Sequence, residues 1–166
     1  MTPGGNITYY FSIVLETPHV IVGAAIATKI GNPALSLPLA FLSHFVMEKV
    51  PHWNPHLGTE KKKFGNITKN TTIFVTLDSL TALLMGTFIA SRELPNINRM
   101  LIVLIACFLS VLPDLIEAPY FFLNVKGKFM ERWILIQKSM QENASPLLGI
   151  LTQLTVIIIA LWWIFS

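Results

Sequence analysis

The stretch Leu39-Ala-Phe-Leu-Ser-His-Phe-Val-Met-Glu-Lys-Val-Pro-His-Trp-Asn-Pro-His56 opens as an apolar helical run and closes in a polar turn. Within it His44, Glu48 and His52 fall at four-residue steps, the spacing that stacks side chains on one face of a helix. Pro51 removes a backbone donor and biases Val50 toward extended backbone, so the helix is expected to end about there. His52, Trp53 and His56 then sit on a turn at its mouth. Ionisable groups inside an apolar span are costly, roughly 2.5 to 3.5 kcal/mol each for Asp, Lys or Arg at the centre, and persist where they pair, bind ions or do chemistry. One histidine in such a run reads as a hydrogen-bond partner for a neighbouring helix. Three metal-ligand side chains on one face read as a metal site.

The rest of the chain supplies the setting. Of its 166 residues 53% are hydrophobic and only 13% charged, with a mean hydropathy of +0.61. That balance excludes an ordinary soluble domain and points to an all-α integral membrane bundle, one transmembrane domain over residues 1–166. The net charge of +3 is carried in short runs such as Lys61-Lys62-Lys63. At a membrane edge such runs act as orientation signals and contacts for anionic lipid head groups, and nucleic acid is not an expected partner. Cys107, the one cysteine, lies in an apolar run, so no intrachain disulfide is possible. The first residues carry neither a basic cluster nor a small-residue cleavage site, and no removable signal peptide is expected.

Apolar segments over 7–30, 34–50, 71–91, 100–116 and 146–165 predict about five transmembrane helices. Thr17-Pro18 is expected to start or kink the first, with Thr17 as N-cap and Pro18 at the first helical position. An amphipathic interfacial helix is expected over 129–140. Lys61, Lys62, Lys63, Lys69, Lys126, Lys128, Arg132 and Lys138 fall in the loops after segments two and four, against Lys29, Arg92 and Arg99 on the other side. The positive-inside rule then places the N-terminus in the cytoplasm. On that map His19, His44, Glu48, His52, Asp78 and Asp114 all fall in one leaflet, as a set of candidate metal ligands. Imidazole and carboxylate donors suit Zn²⁺ and also Mn²⁺ or Fe²⁺, and six candidates suffice for one or two ions. Glu16, His56 and Glu117 remain as supporting partners, and Glu117 and Glu16 are the candidates for a catalytic general base.

Thr17-Pro-His19 followed by Gly23-Ala-Ala-Ile-Ala27, the block Ser43-His-Phe-Val-Met-Glu-Lys-Val-Pro-His-Trp53, Asp78, and Pro113-Asp114 together resemble the bacterial membrane-bound, metal-dependent hydrolases of the YdjM type. The resemblance covers about the first 120 residues. The family usually has Asp where this chain has Glu48. It is distantly similar to zinc-dependent phospholipase C and P1-type nucleases, helical phosphoesterases whose His and Asp residues hold a metal cluster. The resemblance implies hydrolysis of a phosphoester, with a membrane lipid or other amphiphile as substrate. The alternative from a different class is a non-catalytic membrane protein, either with a structural metal or acting as a metal-ion carrier.

Overall fold

The computed structural model describes residues 15–166 and is all-helical, with seven helices and no named strand among the described residues. They are α1 (Glu16–Lys29), α2 (Pro33–Glu48), α3 (Leu57–Phe64), α4 (Lys69–Ser91), α5 (Ile97–Phe122), α6 (Lys128–Met140) and α7 (Pro146–Phe165). Local chemistry sets several of these starts. The Asn32 side chain accepts from Ala34 N ahead of Pro33, Thr68 caps α4 through Thr71 N, and Asn96 caps α5 through Arg99 N. Gly65 closes α3 at φ 76°, a left-handed conformation that glycine adopts without strain.

Among the described residues three helices, α4, α5 and α7, are long and apolar enough to cross a membrane. Large apolar side chains cover their outward faces: Leu84 and Trp162 are each 70% exposed and Ile158 is 65% exposed. Bare apolar surface on this scale fits a hydrocarbon surround. Among the described residues the expected five spans are therefore corrected to three. Helix α2 has 16 residues, about 24 Å at 1.5 Å per residue, because Asn32-Pro33 opens it and the turn before Pro51 closes it. Helix α1 has 14 described residues, and 7–14 of the expected first segment lie outside the described residues. Thr17 is not the cap of α1, since the helix starts at Glu16 and the Thr17 hydroxyl donates instead to Asp78 Oδ1 at 2.6 Å. Helix α5 does not stop near Ile116 but runs 26 residues through Pro113 and Pro119 to Phe122. Neighbouring side chains engage carbonyls along that stretch: Trp133 Nε1 donates to Pro113 O and Lys61 Nζ to Phe121 O. The expected interfacial helix is α6, one residue longer at its start, and α7 spans 146–165 as expected.

Helix α1 is the centre of the bundle. It packs on α2, α4, α5 and α7, and nine of its 14 residues are buried, so no side of it keeps a polar face. Its approach to α5 depends on Gly23, where an added Cβ would lie 2.7 Å from Ser110 Oγ and 2.9 Å from the Ala106 carbonyl. The core on this axis is Ile21, Ala24, Val103 and Ala106, at most 1% exposed. At the opposite end Arg99 bonds the Thr28 carbonyl at 3.0 Å and Glu93 at 2.7 Å, closing the last turn of α1 with a cation.

The loop after α2 is held by the segment after α6. Glu142 N donates to Glu48 O at 2.9 Å, His52 N to Glu142 O at 3.2 Å and Ala144 N to His52 O at 3.0 Å, a short parallel pairing. The first turn of α7 presses on the same loop: a Cβ on Gly149 would lie 2.2 Å from Trp53 N. Helices α3 and α6, this loop and the C-terminal part of α5 thus gather at one end of the bundle. If that end faces the cytoplasm, single cysteines at Thr59 and Asn96 in a Cys107→Ser background label from opposite sides of intact vesicles. Modification of both by a membrane-impermeant maleimide added from one side would overturn this orientation.

Candidate metal centre

Helix α1 brings His19, α2 brings His44 and Glu48, and α5 brings Asp114 to the same buried point. One ligand atom each from His19, His44 and Asp114 lie within 4.8 Å of one another, close enough to hold a metal ion. The two imidazoles stack with centroids 4.4 Å apart and planes inclined by 28°. His19 Nε2 is 3.7 Å from Glu48 Oε1, and His44 Nε2 is 3.6 Å from Asp114 Oδ1. His19, His44 and Glu48 are fully buried and Asp114 is 2% exposed.

Hydrogen bonding orients two of the histidines. His44 Nδ1 lies 2.9 Å from the Ser110 carbonyl and His52 Nδ1 lies 2.6 Å from the Val50 carbonyl. A carbonyl only accepts, so in each ring Nδ1 carries the hydrogen and Nε2 presents a lone pair, the arrangement by which metal-binding histidines are usually held. His52 lies within electrostatic reach of both His19 and His44. Burial lowers the pKa of His52 from its ordinary value, against the opposing pull of the Val50 carbonyl, which favours the neutral, ligating ring at neutral pH.

The unsatisfied atoms test the fit of a cation. Among the described residues no hydrogen bond reaches His19 Nδ1 or Nε2, Glu48 Oε1 or Oε2, His52 Nε2, Asp114 Oδ2 or Glu117 Oε1, and all seven atoms are buried. Gln141 lies against Glu48 as a polar neighbour, but not at hydrogen-bond geometry. Each unsatisfied buried polar group costs roughly 1 to 3 kcal/mol, more when it is charged. A cluster that concentrates lone pairs and carboxylate oxygens with few donors fits a cation.

The other predicted residues are placed as follows. Asp78 belongs to the mooring of α1: its Oδ2 accepts from Glu16 N at 2.5 Å and its Oδ1 from the Thr17 hydroxyl, so both oxygens are already used. Glu16 lies within electrostatic reach of Asp114, Asp78 and Glu48, and its Oε2 has no partner. Glu117 lies one turn beyond Asp114 on α5, 3% exposed, within reach of Asp114 and Glu48. His56 precedes α3 and lines a separate cavity with Trp53, Asn54 and Phe74.

One residue of the cluster was missed from the sequence. Gln137 of α6 is 2% exposed, and its Nε2 donates to His44 Nε2 at 3.2 Å and to Asp114 Oδ1 at 3.3 Å, leaving Oε1 unpartnered. Its signal is positional. Met130, Ile134 and Gln137 follow at steps of four and three along the inward stripe of α6, so the amide occupies a place that periodicity assigns to an apolar side chain.

No family model matches this chain, and no curated protein or solved structure is similar to it.

Removing a ligand should be separable from removing a bystander. His44→Ala and Glu48→Ala are expected to lose bound metal together, measured by elemental analysis of purified protein, while His56→Ala retains it. Gln137→Leu keeps the ligands but removes their shared donor. It is expected to change metal affinity on the order of 10- to 100-fold, the usual weight of a partner that orients ligands. Equal metal content in wild type and His44→Ala would remove this cluster from metal binding.

Proposed function

We propose that this chain is a membrane-embedded, metal-dependent hydrolase that cleaves a phosphoester of a lipid or other amphiphile at the cytoplasmic leaflet of a bacterial inner membrane. The observation that carries this reading is the closeness of His19, His44 and Asp114, beside unsatisfied carboxylates, at the bundle end where most of the lysines gather. Three protein ligands of this kind match the donor number of catalytic zinc sites, which keep a further position open, and Zn²⁺ is favoured ahead of Mn²⁺ or Fe²⁺. This trio would hold one ion, with Glu48 beside His19 as a further ligand to it, and His52 is the residue on which a second would draw.

The chemistry that a divalent ion supplies in such a site is Lewis acidity toward a phosphoryl oxygen and toward water. The protein residues divide the remaining work. Glu117 and Glu16, each with one unpartnered oxygen, are placed to take the proton of the attacking water. The Gln137 amide spends its two N–H donors on His44 Nε2 and Asp114 Oδ1 and so fixes these two ligands relative to each other. Lys62, Lys63, Lys126 and Lys128 lie on elements at this end and draw an anionic head group toward it. Lys61 has a structural task as well, bonding Phe121 O at 3.0 Å and Asn124 Oδ1 at 2.7 Å.

A structural metal is the competing reading, favoured by the complete burial of His19, His44 and Glu48, since structural sites are closed. Activity decides between them. Metal-loaded protein in anionic vesicles, offered a panel of phospholipids and lipid phosphates, is expected to release phosphate or phosphorylated head group, and His44→Ala to release none. Glu117→Gln should retain metal and lose on the order of 10²-fold or more in kcat, the weight of a general base. Identical release by wild type and His44→Ala across several divalent metals would leave the structural metal standing.

A further inference from the structure

A groove of about 280 Å³ runs between α4 and α5 over the side of α1. Its walls are apolar apart from Glu16, Ser79 and Thr87. Chain direction sets its course: Leu115 and Glu16 line the end beside the metal cluster, and Leu104 and Thr87 the deep end. Along α5, Leu104 to Leu115 covers about 16 Å at 1.5 Å per residue. One leaflet is half of a hydrocarbon core about 30 Å thick. The groove is therefore one leaflet deep, and it begins at the end of the bundle where the charged residues lie.

We propose that this groove seats one acyl chain of a phosphorylated lipid whose head group lies at the groove's mouth beside Glu16 and Leu115, next to the buried His19, His44 and Asp114 cluster. The assignment rests on the hydrolase reading and names its substrate class, a phospholipid or lysophospholipid with a chain long enough to reach Leu104.

Four observations carry it. The two helices that form the walls are both long and apolar enough to cross a membrane, so hydrocarbon is the medium the groove opens to. Several lining side chains face outward, Phe108 at 53% exposure and Leu83 at 65%, so a chain can enter sideways from the bilayer. The floor is fixed, since Gly86 lets α4 close on α1 and an added Cβ would lie 2.9 Å from Val20 Cγ1 and 3.2 Å from Cys107 Sγ. Glu16 joins groove and cluster: it lines the former, lies within electrostatic reach of Asp114 and Glu48, and has one buried oxygen without a partner. A chain moving from bilayer to groove gains nothing from leaving water. Its preference comes from contacts with a surface that disordered lipid tails fill poorly.

The test reads binding and hydrolysis separately. Full-length, metal-loaded protein is placed in phosphatidylglycerol and phosphatidylethanolamine vesicles containing a palmitoyl lysophosphatidylglycerol with a mid-chain diazirine. After irradiation the adducts are mapped by peptide mass spectrometry. Adducts are expected at Leu83, Thr87, Leu104 and Phe108 in excess over Ile158 on α7 by about tenfold, the discrimination that 1.4 kcal/mol supplies. Ser79→Trp and Thr87→Trp fill the groove from exposed wall positions. They are expected to abolish that excess while metal content stays at the wild-type level. Adducts spread evenly over α4, α5 and α7, and indifferent to Thr87→Trp, mark an ordinary lipid coat and overturn the groove as a chain site, even if hydrolysis is observed. Groove-specific adducts without hydrolysis of any phosphorylated lipid uphold the chain site and overturn its link to catalysis.

Discussion

Three imidazoles, of His19, His44 and His52, and the carboxyl groups of Glu48, Asp114 and Glu117 share the inside of this bundle, and too few donors are present to satisfy them. Either the carboxyl groups take up protons or a cation joins the cluster, because isolated charge in a low-dielectric interior is far more costly than a neutral group. The packing around the cluster follows from that constraint. Helix α1 surrenders its polar face entirely and uses Gly23 to lie against Ser110 and Ala106, which is what brings His19 within stacking distance of His44. The loop carrying His52 is not left to wander but is paired to residues 142–144 and pressed by Gly149. Rigid backbone on several sides is what a ligand cluster needs if its donors are to stay in place without a hydrogen-bond network of their own.

Much of this was legible in the residues alone, and the parts that were not have physical reasons. The four-residue steps of His44, Glu48 and His52 pointed to one helix face, and the alternation of antiparallel helices put the acids of α4 and α5 at the same end. The number of spans was misjudged because apolar composition does not separate a helix buried by other helices from one bathed in lipid. Helix α1 is apolar since protein surrounds it, and α2 is bounded by prolines at a length short of the hydrocarbon core. The fourth segment was expected to end near residue 116, where its apolar run gives way to acids, yet α5 continues to Phe122. Gln137 escaped because an amphipathic helix is expected to carry glutamine on its wet face. Only the register, with Met130 and Ile134 on the same stripe, shows that this one points inward.

The arrangement also bears on what a metal here would be for. From the cluster toward the far end the interior is Ile21, Ala24, Ala25, Val103 and Ala106, and the unpartnered polar atoms there are the Thr28 and Ser36 hydroxyl oxygens. Hydroxyls are poor ligands for a borderline ion compared with imidazole and carboxylate, so the described residues offer an ion no staircase across the bundle. The lysines of α3 and of the segment after α5 stand at the cluster's own end of the bundle.

The acids of this end divide according to what their neighbours offer them. Asp78 meets a backbone N–H and a hydroxyl at the start of α1, and it spends both oxygens there, so its task is to set where α1 begins and hence how deep His19 sits. Asp114 shares one oxygen with Gln137 and keeps the other free; Glu48 keeps both free. Glu48 is one turn beyond His44 on α2, and side chains on a helix lean toward its N-terminus, so its extra methylene carries the carboxylate back toward His19 on the neighbouring helix. An aspartate at this position would reach less far from the same Cα. In this chain the length of Glu48 is thus what lets a residue near the mouth of α2 take part in a cluster whose nearest members are His19, His44 and Asp114.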